Sequence, residues 1–276
     1  MRLELAGIEA RHPAARTGLP PALKKLDLKL AAGEQVAVIG PSGAGKTTLL
    51  QVAAASLPPA AGALRIDGDD PWALSGRARQ RLRGRLFLAP QTPPLPPRQR
   101  VVTAVLAGRL PAIGFWESLR SLFYPSDIAG AHAALTHFDL ADKLFERVDR
   151  LSGGERQRVG LVRTLLSPAS LWLIDEPLSA LDPTRARQAI SALLLAAEER
   201  RATVLATLHQ VDTALEMFPR IVGLRQGRVV FDLARGEVGQ RHLADLYAQH
   251  EDELGGPAPA ADGEADGPRP VAMHCR

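Results

Sequence analysis

The segment GPSGAGKT, residues 40–47, limits the fold of this chain more than any other stretch of its sequence. It matches the pattern G-x-x-x-x-G-K-[S/T], follows the apolar run 36–39 and precedes a helical pattern from Lys46 to about Ala55. Glycines allow such a loop to turn its backbone N–H groups inward, and the helix N-terminus adds positive potential. The sequence therefore predicts a strand, a phosphate-binding loop and a helix, which together begin a P-loop α/β core.

The polar residues that end this loop are suited to a nucleotide with Mg²⁺. Lys46 can reach the β- and γ-phosphates, and the Thr47 hydroxyl can ligate Mg²⁺. A chance glycine-rich turn is the alternative interpretation, but the flanking strand and helix favour a phosphate-binding loop.

Two adjacent carboxylates close a second apolar strand, LWLIDE at 171–176. Asp175 can orient Mg²⁺ and its waters, and Glu176 can act as a general base, a role worth roughly 10²- to 10⁴-fold in rate. A helix N-cap is the alternative, because Pro177 follows and acidic residues favour that position. In combination with the phosphate-binding loop, the pair favours catalysis.

Three further polar residues lie in segments that follow predicted strands. Gln91 follows the predicted strand 86–89, Asp182 ends the segment SALD, and His209 follows the predicted strand 203–207. Each alone is typical of a polar loop, a helix cap or a strand end. Their order after the phosphate-binding loop favours one site built from the ends of several strands.

The segment LSGGE, residues 151–155, begins another helical pattern. Ser152 and Glu155 have the spacing of a capping box, but this motif does not explain Gly153 and Gly154, since each glycine in a helix costs about 1 kcal/mol relative to alanine. Bare backbone at a helix N-terminus suits an approaching phosphate. Because the chain already has one phosphate-binding loop, we expect the second site to serve a nucleotide held by another chain.

Composition separates a basic body from an acidic C-terminal segment. The net charge is +4, although residues 251–276 hold six acidic residues and two arginines. This Gly-, Pro- and Ala-rich tail is predicted to be disordered. The single cysteine, Cys275, excludes an intrachain disulfide and fits a reducing compartment. No apolar stretch approaches 18 residues and no signal peptide is recognisable, so we expect no membrane span.

The remaining patterns place strands and helices around these motifs. Residues 3–8 and 26–30 alternate apolar and polar residues, as half-buried strands do, and 63–66 has a further strand pattern. The arginine-rich run 75–85 could bind nucleic acid, but it lacks interleaved aromatics, so a solvated helix face is favoured. Residues 101–166 have a mostly helical pattern, which predicts an inserted helical segment.

The motifs GPSGAGKT, Gln91, LSGGE, LWLIDE, SALD and His209, in this order, resemble those of ABC-transporter ATP-binding subunits. The resemblance runs from about residue 3 to 248. It implies an α/β fold: a P-loop NTPase core with a mostly parallel sheet, an N-terminal antiparallel β part and an inserted helical subdomain at about 92–165. The ATP-binding domain would then occupy residues 1–250, followed by the tail.

Three segments that extend beyond these motifs are similar to phosphonate-import ATP-binding subunits, although importers of phosphite or phosphate could share them. They are VLAGRL at 105–110, FWESLRSLFYPSD at 115–127 and TLHQVDTALEMFPRIVGLRQGRVVFD at 207–232. The resemblance implies an ATPase that couples hydrolysis to import. It would work as a head-to-tail homodimer on membrane permease subunits, at the cytoplasmic face of the inner membrane, and would meet a solute-binding protein indirectly.

The resemblance also implies a role for each motif residue. Residues expected to bind ATP are Gly40, Pro41, Ser42, Gly43, Ala44, Gly45, Lys46, Thr47, Thr48 and Gln91. Those expected to act in catalysis are Glu176, His209 and Lys46, and those expected to hold Mg²⁺ are Thr47, Gln91 and Asp175. Ser152, Gly153, Gly154 and Glu155 would contact the partner's nucleotide, and Asp182 would link the two sites across the interface.

Two departures from the family pattern bear on these expectations. The stretch 11–17 contains no aromatic residue where one usually stacks on adenine, which leaves His12 and Arg16 as candidates. The resemblance also implies that the Gln91 loop acts as a hinge. Pro90 precedes Gln91 where an aromatic is common, which predicts a stiffer hinge.

Two other functions could use the same motifs. The basic body suggests a soluble ABC-type ATPase acting on nucleic acid, but such proteins usually carry two ATPase cassettes or a long coiled coil, and we expect no nucleic-acid partner. A non-hydrolysing nucleotide switch would not need the base Glu176.

Overall fold

A computed structural model describes residues 1–12, 20–121 and 124–248 of the chain. Two predictions fall outside the described residues: the stacking candidate Arg16 and the tail 251–276. His12 is described and its side chain is exposed.

Nine strands form two sheets in the described chain. The smaller sheet is antiparallel, with the order β2-β1-β4, and consists of β1 (Leu3–Ala10), β2 (Leu23–Leu30) and β4 (Ala61–Ile66). The larger has the order β5-β6-β7-β3-β8-β9 and consists of β3 (Gln35–Ile39), β5 (Leu86–Ala89), β6 (Leu171–Asp175), β7 (Thr203–Leu208), β8 (Arg220–Arg225) and β9 (Arg228–Ala234). Its first five strands are parallel, and β9 is antiparallel to β8.

The helices follow the predicted alternation with strands. They are α1 (Lys46–Ala53), α2 (Gly76–Arg83), α3 (Val101–Leu106), α4 (Phe115–Ser121), α5 (Ile128–Thr136), α6 (Gly153–Leu166), α7 (Pro183–Arg200), α8 (Val211–Met217) and α9 (Gln240–Tyr247). Helices α3 to α6, with short 3₁₀ turns, fill the described chain between β5 and β6. This arrangement confirms the predicted α/β fold class, while the division at 92–165 stays a prediction.

The larger sheet is covered on both faces, which explains the continuous apolar runs of its central strands. Every residue of β6 and β7 is buried. One core cluster packs β6, β7 and β3 against helices that include α6 and α7, with Trp172 fully buried. The other packs the opposite face against α1 and the smaller sheet. Each fully buried Leu or Ile side chain contributes about 1.5–3 kcal/mol to folding.

The parallel register brings the carboxyl ends of four strands to one edge. Ile39 of β3 pairs with Leu208 of β7, while Asp175 of β6 pairs with Thr207. Ala89 of β5 pairs with Ile174. The segments that follow β3, β5, β6 and β7 therefore meet at this edge, which is where ligands bind in open α/β sheets.

Within the described ranges, no helix combines the length and the apolar character needed to cross a membrane.

Candidate active site

The phosphate-binding loop depends on glycine at two positions. Gly40 and Gly45 have φ values of +155° and +104°. A Cβ at Gly40 would lie 2.0 Å from the Leu224 carbonyl oxygen, and one at Gly45 would lie 2.6 Å from that of Ala22. Gly45 also precedes α1 as its N-cap and supplies no side-chain cap. The loop thus presents backbone, rather than side chains, around the start of the helix.

Lys46 lies folded back across this loop. Its side chain is buried, and Nζ donates to the carbonyl oxygens of Gly40 at 2.7 Å and Pro41 at 3.3 Å. The same Nζ lies 3.8 Å from Oε1 of Glu176. The positive charge of Lys46 is therefore held between the loop and the acidic end of β6.

Asp175 is a buried carboxylate beside two hydroxyl groups. Its Oδ1 accepts a hydrogen bond of 2.7 Å from Thr207, and the Thr47 hydroxyl also bonds to it. Burial raises the pKa of the Asp175 carboxyl above its ordinary value, although both hydrogen bonds and the charge of Lys46 oppose the shift. The predicted Mg²⁺ ligands Thr47 and Asp175 are thus in contact.

The donor set of Thr47 and Asp175 suits Mg²⁺. In residues 1–12, 20–121 and 124–248, no cluster of three His, Cys, Asp or Glu side chains could hold a metal ion. Mg²⁺ is commonly held by one or two protein oxygens, with phosphate and water completing its shell. A hydroxyl and a buried carboxylate beside a phosphate-binding loop therefore fit this cation better than an all-protein metal site.

The Glu176 carboxylate lies beside charged groups on two other segments, His209 after β7 and Lys46 at the start of α1. Its Oε1 lies 2.6 Å from Nε2 of His209. Burial raises the pKa of the Glu176 carboxyl, but the hydrogen bond from His209 and the charges of His209 and Lys46 outweigh burial, so the pKa lies below its ordinary value. The carboxyl is therefore ionised at neutral pH, as a general base requires.

The backbone of Glu176 has the left-handed conformation, with φ at +45°. This conformation costs a residue with a side chain about 1–2 kcal/mol. Its N–H donates to the Thr207 hydroxyl at 3.0 Å, and its carbonyl oxygen accepts from the Gln157 amide at 2.9 Å. Both bonds hold the strained backbone and so direct the carboxylate towards His209 and Lys46.

Gln91 lies on the exposed loop after β5. A cavity of about 110 Å³ has Pro90 and Asp175 in its wall, so this loop lies beside the acidic end of β6. The part of Gln91 in binding ATP and Mg²⁺ stays a prediction.

Asp182 caps α7, because its Oδ1 accepts from the N–H of Arg185 at 3.0 Å. A helix cap is the alternative that the sequence offered for Asp182, and its role at a dimer interface stays a prediction. Asp182 follows Glu176 along one short loop, so any movement of the loop would affect both carboxylates.

The segment 151–155 forms the predicted capping box at the start of α6. The Ser152 hydroxyl accepts from the N–H of Glu155 at 3.2 Å, and the Glu155 carboxylate accepts from the N–H of Ser152 at 2.7 Å. The backbone hydrogen bond from Ser152 lowers the pKa of the Glu155 carboxyl, and burial only partly opposes it.

The two glycines of this segment have different surroundings. A Cβ at Gly153 would meet no atom within 4 Å, whereas one at Gly154 would lie 2.8 Å from the carbonyl oxygen of Ala180. Gly153 therefore leaves open space at the helix N-terminus, as a ligand site would need. Gly154 is required by packing within the chain, a reason that the sequence did not reveal.

Sequence reasoning also missed Gln157. Its side chain is 5% exposed and bonds to three residues of the loop after β6. The sequence does give one signal for its burial. Gln157 stands four residues before the buried Leu161, which places both on one face of α6, and it lies between two arginines in the sequence.

A protein-family model described as ABC transporter matches residues 23–179, more than half of the chain. This chain belongs to the ABC transporter family.

Relatives within this family match along the whole chain. A protein of Polaromonas sp. (strain JS666) named phosphonates import ATP-binding protein PhnC is 61% identical and covers 100% of both chains. One of Pseudomonas aeruginosa (strain PAO1), named phosphonates import ATP-binding protein PhnC 1, is 52% identical and covers 99% of this chain and 98% of its own. Among solved structures, the ATP-binding cassette MJ0796, dimeric in a post-hydrolysis state with ADP and Pi, has a TM-score of 0.71 at 25% identity, covering 84% of this chain and 98% of its own.

Proposed function

We propose that this ABC transporter chain is the ATP-hydrolysing subunit of an importer for phosphonates or related phosphorus oxyanions such as phosphite and phosphate. The observation that carries hydrolysis is Glu176, whose carboxylate lies 2.6 Å from His209 and 3.8 Å from Lys46 at the edge of the sheet. The choice of solute class is supported by the 61% identity to a phosphonates import protein along the full chain.

In the proposed reaction, the phosphate-binding loop holds the triphosphate, and Lys46 neutralises its β- and γ-phosphates. Glu176 accepts a proton from the attacking water, while His209 contacts the γ-phosphate and orients the carboxylate. Thr47, Asp175 and Gln91 would hold Mg²⁺, which when bound would neutralise charge on the phosphate oxygens. ATP-binding residues are Gly40, Pro41, Ser42, Gly43, Ala44, Gly45, Lys46, Thr47, Thr48 and Gln91.

The proposed working form is a head-to-tail homodimer. Ser152, Gly153, Gly154 and Glu155 of each chain approach the nucleotide held by the other, and Asp182 lies at the interface. The dimer binds permease subunits at the cytoplasmic face of the inner membrane through the helical segment and the Gln91 loop. It meets a solute-binding protein only through the permease. The open surface at Gly153 and the dimeric state of MJ0796 support this arrangement.

The energy for import arises from differential binding. If ATP binds the closed dimer more tightly than the open one, each binding event shifts the transporter towards its closed-dimer state. Hydrolysis removes the γ-phosphate that bridges the chains, and release of ADP and phosphate resets the open state.

Growth of a deletion strain on a phosphonate as sole phosphorus source tests the function. Wild type should restore growth and Lys46→Ala should not, because the variant loses the cation of the phosphate-binding loop. Lys29→Ala, which removes an exposed ion pair with Glu4, is the matched control and should restore growth.

Parallel cultures on phosphite and on phosphate distinguish the related solutes. Normal uptake of all three by the deletion strain, with no redundant importer present, would refute the proposed solute class and leave the family assignment untouched.

A further inference from the structure

Helix α6 and the loop after β6 are joined inside one chain by the side chain of Gln157. Its Nε2 donates to the Glu176 carbonyl oxygen at 2.9 Å and to the Ser179 hydroxyl at 3.1 Å. Its Oε1 accepts from the N–H of Ala180 at 2.9 Å. A carbonyl can only accept and an N–H can only donate, so these partners define the orientation of the amide.

A second contact joins the same two elements one turn earlier on α6. The Cα of Gly154 approaches Ala180 so closely that a Cβ there would lie 2.8 Å from the Ala180 carbonyl oxygen. Ala180 is therefore contacted through its N–H by Gln157 and along its carbonyl by Gly154. The loop has little freedom to move relative to α6 without breaking these contacts.

The joined elements carry groups that serve different nucleotides. The loop holds Glu176, the proposed base for the nucleotide bound by its own chain. The N-terminus of α6 holds Ser152 and Gly153, which face the nucleotide of the partner in the proposed dimer. Gln157 connects these two functions while belonging to neither group of ligands.

We propose that Gln157 is a positioning residue that sets the direction of Glu176 and couples the two nucleotide sites through its own chain. This inference rests on the proposed function. Its amide supplies the hydrogen bond that holds the strained carbonyl of Glu176, and the same amide transmits the placement of α6 to the base. Loss of the amide leaves the phosphate-binding loop intact, because that loop lies between β3 and α1.

Single variants test the positioning of the base. Gln157→Leu removes both the donor and the acceptor of the amide. Gln157→Glu keeps an acceptor for the N–H of Ala180, but its ionised carboxylate cannot donate to the Glu176 carbonyl oxygen. Both should lower kcat for ATP hydrolysis about 10- to 100-fold, because the base is misplaced, and should also raise KM, because the partner-facing start of α6 is displaced in the same dimer. Gln188→Leu, at an exposed position on α7, should match wild type.

Mixed dimers with one active site test the coupling. The first chain carries Glu176→Gln and the second chain keeps its own Glu176. The remaining active site therefore uses the base of the second chain and the Ser152–Gly153 surface of the first. Gln157→Leu in the second chain should lower kcat, whereas the same change in the first chain should raise KM and leave kcat within about 2-fold. Equal effects from both placements, or an unchanged kcat when the second chain carries Gln157→Leu, would overturn the proposal.

Amide hydrogen exchange separates failure of this inference from failure of the proposed function. The N–H of Ala180 should exchange at least about 10-fold faster in Gln157→Leu, in the nucleotide-free chain, because its acceptor is gone. If the variant is folded and exchange is unchanged, the proposed link between α6 and the loop after β6 is overturned, even if the wild-type chain is an active ATPase. Faster exchange in a chain whose wild type lacks hydrolysis overturns the proposed function and, with it, the positioning role of Gln157.

Discussion

Glu176 is the proposed general base, and that role distinguishes hydrolysis from simple nucleotide binding. Its conformation, with φ at +45°, is unfavourable for any residue with a side chain, and it is maintained by a hydrogen bond from its N–H to Thr207 and one from Gln157 to its carbonyl oxygen. Strain of this kind concentrates at functional sites, where the surrounding structure holds a side chain in the required direction. His209 and Lys46 complete its surroundings from separate segments of the chain.

Replacing Glu176 by glutamine should abolish hydrolysis without abolishing ATP binding. The amide keeps the size of the carboxylate but cannot accept the proton, so we expect a loss of roughly 10²- to 10⁴-fold in kcat. Gel filtration with Mg-ATP should show Glu176→Gln as a stable dimer. Glu198→Gln, at an exposed position on α7, is the control and should behave as wild type. A monomer under these conditions would contradict the shared-site mechanism.

Alanine at the two glycines of 151–155 should separate packing from ligand binding. Gly154→Ala places a Cβ against Ala180 and should lower the free energy of unfolding by about 1–3 kcal/mol. Gly153→Ala enters open space and should change it by less than about 1 kcal/mol, while it lowers ATPase activity because the added methyl group covers the helix N-terminus. Urea unfolding of the nucleotide-free chain measures the first effect. Equal destabilisation by both variants would refute the distinction.

At the scale of elements, the sequence located the central strands well and the N-terminal strands less well. Strand β6 was predicted at 171–175 and is observed there, because burial on both faces produces a continuous apolar run. Strand β2 was predicted from residue 26 but begins at Leu23, since Lys24 and Lys25 interrupt the alternation and Lys25 has φ at +51°. The register with β1 shifts at this irregularity, which composition does not reveal.

Other boundaries differ for local reasons. Helix α1 ends at Ala53 rather than about Ala55, because Ala55 adopts the left-handed conformation. Strand β1 continues to Ala10, beyond its predicted end at residue 8. The contacts of Gln157 and Gly154 with the loop after β6 could not be predicted, since they join segments about 20 residues apart whose approach depends on the complete fold.

The capping box of α6 predicts a pH-dependent contribution to stability. The folded-state pKa of Glu155 is lowered, so its contribution is present above the unfolded pKa of about 4.3 and is lost as pH falls through the folded value. Glu155→Gln should therefore cost about 0.3–1 kcal/mol near pH 7, since the amide can still accept from the N–H of Ser152 but carries no charge at the helix N-terminus, and the difference from wild type should shrink below about pH 4. Urea unfolding at several pH values measures this, with Glu199→Gln as the exposed control. A difference that persists unchanged in acid would contradict an ionic capping role.

At the scale of the whole molecule, the edge of the larger sheet brings together residues that lie far apart in sequence. Lys46, Asp175, Glu176 and His209 follow or end three neighbouring parallel strands, so a single register sets their mutual positions. The order of the motifs was sufficient to predict this convergence. The proposed dimer and solute could not be predicted from this edge, because in that proposal half of each nucleotide site and the permease belong to other chains.

The acidic tail provides a test of the domain boundary. Deletion of 251–276 should leave kcat and KM for ATP within about 2-fold of wild type, because each residue proposed for catalysis or nucleotide binding precedes residue 210. A steady-state ATPase assay of the shortened chain measures this. A loss greater than 10-fold would show that the ATP-binding unit extends beyond residue 250.

ATP hydrolysis by the chain assembled with its permease in liposomes, with and without a phosphonate-loaded solute-binding protein, tests the proposed import function most directly. Hydrolysis should be severalfold faster with the loaded protein, and there should be no stimulation when Glu176→Gln replaces the wild-type chain. Hydrolysis that stays unchanged with phosphonate, phosphite and phosphate alike would contradict the assignment of this ATPase to import of phosphorus oxyanions.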